Sequence, residues 1–277
     1  MQVDMHVHTT ASDGMDSPVE VVASAKKLGL KALAITDHDT LEGVEPALKA
    51  GHDYEIEVIP GIELSTEANG EETHILGYLL ELASKEFLET ISLFRNYRIK
   101  RIEQMVVKLQ MMGFPVVMDR VMAISGTGSV GRPHLAAAMV EAGVAANLTE
   151  AFDKYIGRGC SAYVPRYKIE PAEAVQLIRK ANGVPVLAHP GLGNSSKLIP
   201  ELVPKGLAGI EAFHPAHSRE LSEYYYRLAE KYNLIATGGS DYHGLGHKEG
   251  RSLGMVTVSY AVLQEMKDWR IALNPSK

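Results

Sequence analysis

The 277-residue chain has a single cysteine, Cys160. One thiol excludes an internal disulfide and any metal site built from several thiolates, and it fits a reducing compartment. No apolar run reaches the roughly 18 residues a membrane helix needs. The opening MQVDMHVH carries His and Asp where a secretion signal would need a basic flank and an apolar core. The expectation is a soluble, cytoplasmic protein with no membrane partner, and no obligate protein partner is inferred. Basic excess is also missing. A net charge of −6 argues against a broad surface that coats nucleic acid, although a local pocket can oppose the global sign. Two catalytic signatures are absent as well: there is no Gly-x-Ser-x-Gly elbow and no Walker A loop. The Gly-rich GTGSVG at 126–131 does not follow a strand inside a βαβ unit.

What is present is an alternation of short apolar runs and helical patterns. QVDMHVH reads as a strand, and SPVE begins a helix with Ser17 as N-cap, Pro18 in the first turn and Glu20 completing a capping box, closed by Gly29. KALAIT is a buried strand that stops at DHD, and IEVIPGIELS and ETHILGYLL are two strands that EANGE can join as a hairpin. From 84 to 160 the pattern turns helical, in EFLETISLFRNYRIKRIEQMVVKLQMMG, GRPHLAAAMVEAG and LTEAFDKYIG. Strands and helices then alternate again through VPVLAHP, LAGIEAFH and LIATGGSDYHG. The domain expectation is a barrel body at 1–83 and 161–277 with a helical insertion at 84–160. Repeated β-then-α order predicts an α/β fold with a parallel sheet, most simply a barrel of about seven strands.

Against that frame the polar residues are not scattered. His6 and His8, Asp37 and His38, Glu63, His74, His189, Glu211 and His214, and Asp241 and His243 all fall at or just beyond the expected C-terminal ends of strands. That is the face where α/β barrels build active sites. Imidazoles and carboxylates without thiolates suit Mn²⁺, Fe²⁺ or Zn²⁺. There are too many of them for one tetrahedral ion, so two or three ions sharing bridging groups are expected.

Together HVHTTASDG, TDHDT, GIE, THILGY, AHPG, AFHPAHS and GSDYHG resemble the PHP (polymerase and histidinol phosphatase) superfamily of metal phosphoesterases. Within it the chain is most similar to the branch of 3′,5′-nucleoside bisphosphate phosphatases and 5′-to-3′ exoribonucleases. The resemblance implies a distorted seven-stranded (β/α)7 barrel and three divalent ions, Mn²⁺ foremost, with Fe²⁺ or Zn²⁺ as alternatives. By the same resemblance His6, His8, Glu63 and Asp241 hold the first ion. Glu63 bridges to a second ion held by His74 and His189, and Asp13, His38 and His243 hold the third. The ions would outweigh the three carboxylates Asp13, Glu63 and Asp241, favouring an anion, and a hydroxide bridging two ions would attack phosphorus.

Beyond the ligands, Arg132 and Arg158 are expected to contact a second phosphate, since a guanidinium suits two-point phosphate binding. His214 is expected to contact phosphate or give a proton to the leaving group, and Asp37 to act in catalysis by orienting a ligand. RNYRIKR at 95–101 reads as a solvated helix face, with RNA steering as the alternative. His52, His134, His217 and His247 read as structural. The expected substrate is a small phosphorylated nucleotide or the 5′ end of a short RNA. Histidinol-phosphate phosphatase activity and a binding or regulatory module without turnover remain as alternatives.

Overall fold

The computed structural model describes residues 1–126, 128–167, 169–244 and 250–273; His247 lies outside them. The first half of the body follows its local signals. β1 (Gln2–Val7) leads to α1 (Pro18–Lys27), where Ser17 and Glu20 form the capping box and Gly29 takes φ +75 past the helix end. β2 (Ala32–Ile35) is fully buried. Next comes α2 (Val44–Tyr54), which the sequence pattern did not announce: it starts at Gly43 without a side-chain cap, and its buried face is the small set Val44, Ala47, Ala50 and Gly51.

β3 (Glu57–Ala68) and β4 (Glu71–Tyr78) form the anticipated hairpin. Its turn is Asn69-Gly70, at φ +51 and +77, the left-handed pair that matches strand twist in a two-residue turn. The helical segment follows as α3 (Lys85–Met111), α4 (Met118–Ser125), α5 (Arg132–Glu141) and α6 (Leu148–Ala151), the last continued by a π-turn over Phe152–Ile156. The body resumes with α7 (Pro171–Lys180), β5 (Val184–Leu187), α8 (Ile199–Leu202), β6 (Gly209–Phe213), α9 (Arg219–Lys231), β7 (Ile235–Gly238), β8 (Val258–Ser259) and α10 (Tyr260–Leu273).

The architecture is an α/β barrel, and it corrects two details of the expectation. The sheet has eight strands in the order β7-β6-β5-β4-β3-β2-β1-β8, the eighth being a two-residue strand antiparallel to β1. It is mixed rather than parallel, because β4 runs antiparallel to both β3 and β5. A parallel bridge between Val7 and Tyr242, with His8 N–H donating to the Tyr242 carbonyl at 2.9 Å, brings the chain beyond β7 back to β1 and nearly closes the barrel.

Apolar walls fix these elements. Val7, Leu33 and Ile35 pack on Val21, Val22 and Ala47 of α1 and α2, while Ile62, Leu64, Ile75 and Leu187 pack with Phe87, Ile178 and Tyr225. Leu263 and Met266 of α10 join Val3, Met5, Ile59 and Leu76. The helical segment has its own core of Ile102, Met105, Leu109, Leu135 and Met139. Burying each such side chain contributes about 1.5–3 kcal/mol, so these walls hold the strands while polar residues occupy the rim. Among the described residues no helix is long and apolar enough to cross a membrane.

One buried carboxylate ties the two ends of the chain together. Asp4 accepts from the backbone N–H of His6 at 3.3 Å, Ser240 at 2.9 Å and Gly254 at 2.9 Å. Asp4→Ala would leave these donors buried and unpaired, at about 1–3 kcal/mol for each one that finds no water. Thermal denaturation should show a clear drop in midpoint for Asp4→Ala; an unchanged midpoint would show that Asp4 is not the clasp.

Candidate metal centre and phosphate cleft

The barrel rim gathers side chains from β1, β2, β3, β4, β5 and β7. Four atoms converge first. His6 Nε2 and His8 Nε2 lie 3.1 Å apart; Glu63 Oε2 is 3.5 and 3.3 Å from them, and Asp241 Oδ1 is 3.3 and 3.2 Å away. The other oxygen of Glu63, Oε1, faces His74 Nδ1 at 2.8 Å and His189 Nε2 at 3.0 Å. On the far side of His8, Asp13 Oδ1 is 3.5 Å from His243 Nε2, and Asp13 Oδ2 is 4.0 Å from His38 Nε2. The expected metal residues therefore converge in three groups, but the groups overlap. His8 Nδ1 also reaches toward Asp13, at 3.8 Å, and His38 Nδ1 lies 3.0 Å from Glu63 Oε2.

His74 corrects the strand-end rule. It sits near the start of β4, and it reaches the same rim as the others because β4 is antiparallel. Glu63 lies in the middle of the long strand β3, level with the end of β2, as its bridge to His38 shows.

The electrostatics call for a cation. Burial would raise the Glu63 carboxyl, yet His38, His74 and His6 hold it well below the usual carboxylate range. Burial would lower His8, yet the hydrogen bonds and charges of Asp241 and Glu63 push it up to about 10. His38 goes the other way, pushed down to about 3 chiefly by burial, so its ring stays neutral as a ligand must be. Asp13 Oδ1 is buried without a hydrogen-bond partner, which leaves a carboxylate oxygen for a cation to satisfy. The donors are all imidazole nitrogen and carboxylate oxygen, and atoms close enough to share an ion come from His8, Asp13, His38 and His243, from His6, His8 and Asp241, and from His38, Glu63 and His74.

Behind this shell, other side chains hold the ligands in place. Glu211 is fully buried; it pairs with His6 Nδ1 at 2.9 Å and accepts the His189 N–H at 2.8 Å, so it orients one ring and fixes the backbone of another. That backbone sits at φ +22, outside the favoured regions. Asp37 accepts from Thr9 N–H, Thr9 Oγ1 and Ser12 Oγ at 2.6–2.8 Å. These bonds shape the loop that follows His8. His214 is likewise bonded within the protein. Its Nδ1 accepts the Ala216 N–H, which leaves Nε2 to donate to Asp241 Oδ2 at 3.2 Å. Both ring nitrogens are thus engaged within the protein, and the residue is 2% exposed. Arg251 is ion-paired with the same Asp241 oxygen, leaving Oδ1 to the ligand cluster.

The centre opens into a cleft of about 220 Å³, whose wall carries Arg98, Arg101, Arg132, Arg166 and Arg251. Arg132, in the first turn of α5, lines it as expected and pairs with Glu72 at 3.2 Å. Arg158 does not line it. It is exposed in a turn, with its guanidinium over Gly70 at the β3–β4 hairpin tip, and Arg166 stands in the cleft instead. The reading of RNYRIKR as a solvated face is also corrected. Arg98 and Arg101, one helical turn apart, face inward: Arg98 pairs with Asp39 at 2.5 Å, and Arg101 donates to the Val164 carbonyl at 2.8 Å. The signal available in the sequence was their i, i+3 spacing beside Ile102 and Met105 of the buried face. His134 caps α5 by accepting the Gly131 N–H, His217 bridges Gly191 and Ala212, and His52 is exposed.

Residues 4–157 match the PHP domain. The chain belongs to the PHP family. Over 87% of its length it is 33% identical to a 5′-3′ exoribonuclease of Haemophilus influenzae, covering 89% of that protein. It is 32% identical, over 87% of its length and 94% of the relative, to a phosphoribosyl 1,2-cyclic phosphate 1,2-diphosphodiesterase of Eggerthella lenta. A 3′,5′-nucleoside bisphosphate phosphatase of Chromobacterium violaceum is 30% identical, over 91% of this chain and 90% of that one. Among solved structures, a candidate metal-dependent phosphoesterase from Bifidobacterium adolescentis superposes with a TM-score of 0.87 at 30% identity, over 95% of this chain and 94% of the other. The PHP chain described here is thus a metal-dependent phosphoesterase, with a divalent-metal site at the barrel rim.

Glu63 takes part in two groups and Asp13 in one. Glu63→Gln should therefore lose more bound divalent metal on dialysis than Asp13→Ala, with the circular dichroism of both variants unchanged because neither residue belongs to an apolar wall. Atomic emission on the dialysed proteins reads the difference, and wild-type metal content in Glu63→Gln would contradict the grouping.

Proposed function

We propose that this PHP enzyme cleaves the phosphate ester at the 3′ position of a nucleotide that carries a second phosphate, either a 3′,5′-bisphosphonucleotide or the 5′ end of a short RNA. One observation carries the reading: the ligand clusters and a set of underused guanidinium donors share a single cleft. Arg101 Nη2 and Arg166 Nε and Nη1 are buried without protein partners, and Ser65 Oγ beside them is likewise unpaired. Buried donors with no acceptor call for an anion.

The relatives support a substrate with two phosphates, because the named substrates in Chromobacterium violaceum and Eggerthella lenta each contain two phosphate groups. Histidinol phosphate has one and would leave the arginines without a ligand. In this reading His6, His8, Glu63 and Asp241, then Glu63, His74 and His189, then Asp13, His38 and His243 hold three divalent ions, with Mn²⁺ the first candidate. Ions held there would lower the pKa of a water and carry charge on the phosphoryl oxygens. The chain's own part is to place the two phosphates. Asp241 Oδ1 is kept inward by His214 and Arg251 on Oδ2, and Arg101, Arg132 and Arg166 receive the phosphate that does not react. The stacked Tyr97–Tyr167 pair, with rings 4.0 Å apart at the edge of the neighbouring pocket, offers an aromatic lip beside that second phosphate.

Turnover with Mn²⁺ of adenosine 3′,5′-bisphosphate, short 5′-phosphorylated RNA and histidinol phosphate should show activity on the first two only. A charge-assisted contact contributes about 1.5–3 kcal/mol. Arg132→Ala and Arg166→Ala should each lower kcat/KM for adenosine 3′,5′-bisphosphate by roughly 10- to 150-fold. The same variants should lose far less on adenosine 3′-monophosphate. Equal losses on both substrates would remove the second-phosphate assignment.

A further inference from the structure

Glu72 lines the cleft and contacts both a histidine and two arginines within it. Glu72 and His74 lie two residues apart on β4, so both side chains project from one side of the strand. Glu72 Oε1 is 3.0 Å from His74 Nε2 and 2.5 Å from Arg166 Nη2, and Oε2 is 3.2 Å from Arg132 Nη2. The opposite nitrogen of the same ring, His74 Nδ1, is the one 2.8 Å from Glu63.

We propose that Glu72 is a positioning residue for the metal centre: by accepting from His74 Nε2 it fixes the tautomer that leaves Nδ1 bare toward Glu63, while Arg132 and Arg166 fix Glu72. The inference rests on the divalent site described above. An imidazole can act as a ligand only through an unprotonated nitrogen, and a carboxylate on the opposite N–H both chooses that nitrogen and raises its basicity. Without Glu72 the ring is free to turn about its χ2 bond and to take the other tautomer. A plain surface ion pair with the arginines would do neither. The two guanidinium groups, each 18% exposed, hold both carboxylate oxygens, Arg166 on the Oε1 that faces the ring and Arg132 on Oε2.

The test is a Mn²⁺ titration of metal-depleted full-length protein, with no substrate present. Glu72→Ala should weaken binding at one class of sites by about 10- to 100-fold, the usual cost of removing such a partner. The sites built from Asp13, His38 and His243 should be unchanged. Glu72→Gln retains an amide oxygen that can accept from His74 Nε2, so it should recover most of the lost affinity. Arg132→Ala, which leaves that acceptor and its pairing with Arg166 in place, should weaken Mn²⁺ binding less than Glu72→Ala does. Wild-type binding in Glu72→Ala, or a Glu72→Gln variant as defective as Glu72→Ala, would overturn the proposal. If the wild type itself took up no Mn²⁺ the divalent site would be wrong; inactivity toward every nucleotide would overturn the substrate reading alone.

Discussion

A carboxylate that is 1% exposed, with five imidazoles within 3.5 Å of its oxygens, sets the terms for this barrel. Glu63 cannot exchange its neighbours for water, and an isolated buried charge is too costly to keep. Positive charge must come from protons on the rings or from ions between them. The rings differ in how they take protons: Asp241 and Glu63 raise His8, whereas burial keeps His38 neutral. A site that mixes the two is poised for cations, because each ion replaces protons that the carboxylates would otherwise hold on the imidazoles.

The fold meets this constraint by reversing β4 between β3 and β5. If β4 were parallel, His74 near its start would sit at the opposite rim from Glu63. Because Asn69-Gly70 turns the chain back directly, Ser65 and His74 become cross-strand partners, and residues from two antiparallel strands meet at one rim. The same hairpin carries Glu72 outward to the arginines. One tight turn therefore delivers a carboxylate, an imidazole and the contact between the two halves of the cleft.

The sequence made the rim cluster of imidazoles and carboxylates legible because polar residues stood at the ends of apolar runs where a core would otherwise continue. His6, His8, His38, His189, Asp241 and His243 could be read from local pattern, and the capping box at Ser17 and the hairpin at Asn69-Gly70 from local chemistry. What could not be read depended on tertiary packing. Arg98 and Arg101 look like an ordinary charged helix face until Ile102 and Met105 are seen to turn that side of α3 inward. Arg158 and Arg166 are both in the irregular stretch before α7, and only the path of that stretch decides which one reaches the cleft. His214 stands at a strand end like the true rim residues, but the Ala216 N–H claims one of its nitrogens and Asp241 the other. The short β8 carries no periodic signal at all, having two residues.

The division of labour between body and helical segment follows from the same geometry. Every residue proposed to hold an ion comes from the barrel strands or the loops just past them, whereas Arg98, Arg101, Arg132 and Arg166 come from α3, α5 and the stretch leading to α7. The later turns of α3 share a core with α4 and α5 around Ile102, Met105 and Leu135, while its first turns pack Phe87, Ile91 and Phe94 into the strand walls that fix the rim. In the proposed reading, chemistry and recognition thus draw on residues from largely different packing units that meet in one cleft. Glu72 joins the two. It stands on a barrel strand but is held by arginines of the other unit, so a change in the recognition arginines is felt at His74 through this carboxylate.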